Sequence, residues 1–70
     1  MSTTRTAIVS NENVSLFTVR RYLPHNYDAH LTIHGITIEG EDSAGWTMQD
    51  YVLPRLASGG IYAVEQAEEA

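Results

Sequence analysis

Apolar and polar residues alternate most cleanly along "YDAHLTIHGITIEGED", residues 27 to 42. Ala29, Leu31 and Ile33 are apolar at odd positions, Ile36 and Ile38 at even ones. A two-residue hairpin loop across His34-Gly35 requires that switch of parity. It predicts two antiparallel strands with Ile33 opposite Ile36 and Leu31 opposite Ile38 on one face. The other face then pairs Thr32 with Thr37 and His30 with Glu39. A bulge at Gly35 within one long strand is the alternative.

"TAIVSNENVSLFTVRRYL" is rich in β-branched and aromatic residues and is divided by the turn cluster "SNEN". Its composition predicts strands near 5–9 and 14–22. In the second, Phe17, Val19 and Leu23 share one face and Val14, Leu16 and Tyr22 the other, so both faces carry apolar groups. Pro24 suits a turn and keeps Leu23 extended.

Helical spacing takes over in "AGWTMQDYVLPRLASGG", residues 44 to 60. Thr47 followed by Asp50 resembles a capping box, with Trp46 and Tyr51 as its hydrophobic staple. Met48, Val52, Leu53, Leu56 and Ala57 cover about half of the helix circumference. Pro54 falls on the opposite face with Asp50 and Ser58. Either the helix over 47–58 bends at Pro54, or two turns meet there with Pro54 opening the second. Ser58-Gly59-Gly60 supplies a left-handed stop, and "IYAV", residues 61 to 64, returns as a strand. The order β-β-β-β-α-β predicts an α+β fold. A small antiparallel-rich sheet of four or five strands packs against one short helix, about 47–58.

Seventy residues allow a single domain, 1–70, with ends expected to fray at 1–4 and 65–70. A chain this short buries only roughly 60% of its unfolded surface. Cysteine is absent, which removes disulfides and thiolate metal sites and raises the weight on self-association. Nine carboxylates against four arginines give a net charge of −5. That balance disfavours binding to phosphate backbones, so no direct nucleic-acid partner is expected. "MSTTRTAIVS" lacks the apolar run of a secretory leader, and no stretch is apolar enough to span a membrane. The expected compartment is cytoplasmic.

The helix string resembles one found in a group of small hypothetical proteins encoded by bacteriophages of mycobacteria and related actinobacteria. Matching positions are Ala44 to Thr47, Tyr51, Val52 and Pro54 to Gly59, preceded by Tyr22 to Pro24, Asn26 and Tyr27 in "YLPHNYD". They span roughly two thirds of the chain and leave residues 1–21 uncovered. The resemblance implies a phage accessory protein acting in the infected host cell, and it brings no catalytic motif. An arginine-only, lysine-free composition suits a GC-rich genome of that kind.

Chemistry has few candidates. His25, His30 and His34 lack a third ligand at fixed spacing, so neither a metal nor another cofactor is expected. Glu39, Glu41 and Asp42 read as a solvated turn before a helix rather than an acid–base pair. Arg20, Arg21 and Tyr22 mix cation and aromatic, but adjacent strand residues would face opposite ways. No catalytic residue emerges. Interaction residues are drawn instead from Trp46, Tyr51, Arg55, Tyr62 and Phe17, the types that carry interface energy. The expected function is a protein-interaction module that binds a host or phage protein. The alternative is an acidic DNA mimic or regulator acting on a nucleic-acid-binding host protein. A homodimer is expected through the uncovered sheet face or a strand edge.

Overall fold

The computed structural model describes residues 4–66. Strand β1 (Thr4–Val9) is followed by helix α1 (Leu16–Arg21), then by strands β2 (Tyr27–Thr32) and β3 (Gly35–Glu41). A π-helical turn, Met48–Val52, runs directly into helix α2 (Leu53–Ser58), and β4 (Ala63–Glu65) closes the order. All four strands pair antiparallel in the sequence β2-β3-β1-β4. The fold is therefore α+β, with a second small helix where a strand was expected.

The segment expected as strand 14–22 is α1. Ser15 caps it, its side chain accepting from the Thr18 N–H at 3.2 Å. Leu16, Val19 and Leu23 fall at helical spacing, and Val19 is completely buried. Arg20 and Arg21 close the last turn, where cations complement the helix dipole. β-Branched composition alone gave the wrong element, because the cap and the three- and four-residue spacing outweighed it.

The hairpin forms, but two residues out of the expected register. Thr32 pairs with Gly35, Leu31 with Ile36 and Ala29 with Ile38. Ile33-His34 is the turn, and Gly35 follows it with φ of 108°, a conformation open to glycine. A slip of two preserves which side chains face the core, since the strand period is two. His30 still reaches Glu39, diagonally, at 3.5 Å.

Thr47 caps the second helical segment as expected, its side chain accepting from the Asp50 N–H at 3.1 Å. The staple forms too, with the Trp46 and Tyr51 rings 4.7 Å apart and inclined at 69°. Pro54 is the second residue of α2, just past the junction where the π turn runs into the α-helix with Val52 and Leu53 both helical. The turn before it widens, so that the Val52 N–H bonds Thr47 O and the Leu53 N–H bonds Met48 O. That wider π register reduces the demand for the N–H that proline lacks. At the far end the Gly60 N–H bonds Ala57 O and the Ile61 N–H bonds Leu56 O, with Gly60 at φ 80°. This is a Schellman cap, with Ile61 and Leu56 both buried beside it.

One core results. Ile38 lies between Ala7 and Ala29 across the ladder, and those small neighbours leave room for Val19, Met48, Val52 and Leu56. Both helices thus cover one face of the sheet. Thr4 pairs with Glu41 and Glu65 with Ala7, so the expected fraying does not extend to these positions. Residues 1–3 and 67–70 lie outside the described residues. The final strand begins at Ala63 rather than Ile61, which is committed to the cap. No helix among the described residues is long and apolar enough to cross a membrane.

Candidate interaction surface

Pro24 and the turn after it carry His25 out to the protein surface, beside the loop that precedes the second helical segment. Asn26 fixes that loop, its side-chain amide donating to Glu41 O at 2.7 Å and Trp46 O at 2.9 Å. Trp46 is thereby held with its ring 6.0 Å from His25 and 4.7 Å from Tyr51, edge-on to both. Arg55, four residues after Tyr51, sets its guanidinium 5.8 Å from the centre of the Tyr22 ring. His25, Trp46 and Tyr51 form one contact group and Arg55 with Tyr22 a second; the four-residue spacing of Tyr51 and Arg55 joins them into an aromatic ridge whose two tyrosines also pack partly against the core. Trp46 keeps 36% of its surface in water, and His25 and Arg55 are exposed.

Of the five residues expected to mediate interaction, the ridge unites Trp46, Tyr51 and Arg55. Tyr62 and Phe17 stand apart, 59% and 74% exposed, the first leading into β4 and the second on α1. Tyr22, His25 and Asn26 were missed as a group. Their signal was the proline turn in "YLPHNYD", which folds this segment back beside the tryptophan loop.

A second cluster lies where β1, β4 and the start of the helical segment meet. Arg5 donates to Glu65 at 2.5 Å and to Asp42 at 3.1 Å. Asp42 also accepts from the Tyr27 hydroxyl and, at 2.9 Å, from the Met48 N–H. Gln49 donates to Glu65 at 3.2 Å. The Tyr27 bond, with the Met48 N–H and Arg5, holds the Asp42 carboxyl below its usual range. Arg5, helped by Gln49, does the same for Glu65. Burial, then the Asp42 bond, pushes the Tyr27 hydroxyl well above the ordinary tyrosine range. The arrangement spends its donors and acceptors on one another, joining chain segments rather than presenting a reactive group.

Among the described residues, no three His, Asp or Glu side chains converge to hold a metal ion. A shallow pocket of about 530 Å³ lies at the hairpin-turn end, lined by Val9, Val14, Leu16, Leu31 and Ile36 beside His34. No family model, curated protein or solved structure matches the chain.

Proposed function

We propose that this chain is a small phage-encoded accessory protein that works by binding another protein in the cytoplasm of the infected host cell. The aromatic ridge supports this reading. Tryptophan, tyrosine and arginine are the side chains over-represented where interface energy concentrates. Here they are held by neighbouring rings and by the Asn26 bonds, so little conformational freedom remains to be lost on binding. The phage assignment rests on the sequence resemblance over residues 22–27 and 44–59. Catalysis is not part of the proposal.

The DNA-mimic alternative draws less support. It needs free carboxylates in rows, whereas Asp42 and Glu65 are paired with Arg5.

Affinity capture from host lysate with the wild-type chain and with Arg55→Glu tests the reading. The wild type should enrich a protein that the variant loses while keeping its circular dichroism and melting temperature. Equal recovery by both, or no specific partner, would overturn it.

A further inference from the structure

The two edges of the sheet differ. The β2 edge is closed by the chain's own groups at Tyr27 and Ala29, while Leu31 at its end keeps its outward groups without such a partner among the described residues. The Ala29 N–H donates to Asp28 Oδ1 at 2.8 Å, and the Ala29 carbonyl accepts from Arg20 Nε at 3.0 Å. Arg20 and Asp28 are themselves 3.4 Å apart. The Tyr27 N–H is taken by Pro24 O at 3.1 Å.

The β4 edge has no such closure. Tyr62 O accepts from the Ser10 N–H and the Gln66 N–H donates to Thr6 O, both at 2.8 Å, so residues 62, 64 and 66 turn their main-chain groups toward β1. Antiparallel alternation then points those of Ala63 and Glu65 outward. Among the described residues these four groups have no hydrogen-bond partner. Beside them, Tyr62 and Val64 are 59% and 61% exposed.

We propose that β4 pairs antiparallel with β4 of a second copy of this chain, merging two four-stranded sheets into one. Backbone geometry restricts the register. An axis at Val64 sets Ala63 opposite the partner's Glu65, so all four outward groups on each copy are bonded. It also places Val64 beside the partner's Val64. An axis at Ala63 would need the Ile61 N–H, already committed to Leu56 O at 2.9 Å. An axis at Glu65 would place two glutamates directly opposite, which is unfavourable.

Charge favours a second copy as the occupant. Arg5, which also pairs with Asp42, offsets the charge of Glu65, the one charged side chain of β4, and so reduces repulsion where the strand meets itself. Its one exposed side chain, Val64, is apolar and meets the partner's Val64 across the axis. Arg20 and Asp28 obstruct the middle of the β2 edge at Ala29, which works against extension of the assembly beyond two copies.

Light scattering through the micromolar range, with amide exchange, tests the proposal on the full chain. The wild type should approach the mass of two chains, and the Ala63 and Glu65 amides should gain protection as concentration rises. Val64→Lys puts a charge on an exposed side chain and should return the mass to that of one chain with the fold intact. Ala63→Pro removes an outward N–H and should do the same. A wild-type mass of one chain throughout, or a dimer that persists in both variants, overturns the proposal. Should Ala63→Pro fail to fold, the lysine variant and the amide protection decide.

Discussion

Asp42 accepts from three donors that belong to separate parts of the chain: Tyr27 in β2, Met48 at the helical turn and Arg5 in β1. Glu65 in β4 shares Arg5. Both carboxyls titrate below their ordinary values of 3.8 and 4.5 when folded. A carboxyl depressed by folding contributes stability that is complete above its unfolded value and is lost as pH falls through its folded value. Stability should therefore hold near neutral pH and fall in acid below about 4.5. Asp42→Asn should lower stability at pH 7 and flatten the acid limb, as urea midpoints from pH 7 to pH 3 would show. Parallel profiles for wild type and variant would remove Asp42 from this role. Thr47 is a simpler case. Losing its bond to the Asp50 N–H should cost about 1 kcal/mol in Thr47→Ala, and an unchanged denaturation midpoint would deny the cap.

At the scale of elements, Pro54 joins two helical registers. In the first turn of α2, its fixed φ suits the position and its missing N–H falls where the π turn has already shifted the bonds. Pro54→Ala should then lose about 0.4–1 kcal/mol, because alanine restores freedom to the unfolded chain. A more stable variant would mean that the widened turn is strained by the proline. The helix over 48–58 was legible because cap, staple, apolar stripe and glycine stop agree on one element. Strand β1 and the hairpin were legible from their patterning, although the hairpin register was not. Ile33-Ile36 and Leu31-Ile36 pairings keep the same faces, so only the turn geometry at Gly35 selects between them. Helix α1 was obscured because Val14, Leu16, Phe17, Val19, Tyr22 and Leu23 satisfy a two-residue period on both faces. Such double occupancy is itself a helical trait in a chain this small, and Ser15 supplied the deciding cap. At the candidate surface, Trp46 and Tyr51 could be paired from the staple. The approach of His25 depends on a turn held by Asn26, a long-range arrangement that no spacing encodes.

For the whole molecule, the change of residues 16–21 from strand to helix alters which surface is apolar. Val19 adds to the same core as Met48, Val52 and Leu56, so α1 helps cover the face already shared with α2. The opposite face carries Thr6, Thr32, Thr37, His30 and Glu39, with Thr32 and Thr37 hydroxyls 2.8 Å apart, and at its β4 end the apolar Ile8 and the exposed Val64. Most of that face tolerates water, and its apolar part, Ile8 and Val64, lies at the β4 edge, so that edge rather than the whole face carries the case for a dimer. The same change separates Leu16 from Phe17. Leu16 packs against the core, whereas Phe17 is 74% exposed. The two are the first and second residues of α1 after its Ser15 cap, so a glutamate at either position complements the helix N-terminus to a similar degree. Comparing Leu16→Glu with Phe17→Glu thus isolates packing from helix electrostatics. Phe17→Glu should leave stability within about 0.5 kcal/mol of wild type, and Leu16→Glu should cost about 1–3 kcal/mol for the lost apolar contact and the partly buried charge. Neither should change the mass in solution, since both lie on a helix away from β4. Urea midpoints and light scattering on the two variants check this. Equal midpoints would place Leu16 outside the core, and a monomer produced by Phe17→Glu alone would move the interface from the β4 edge to the surface of α1.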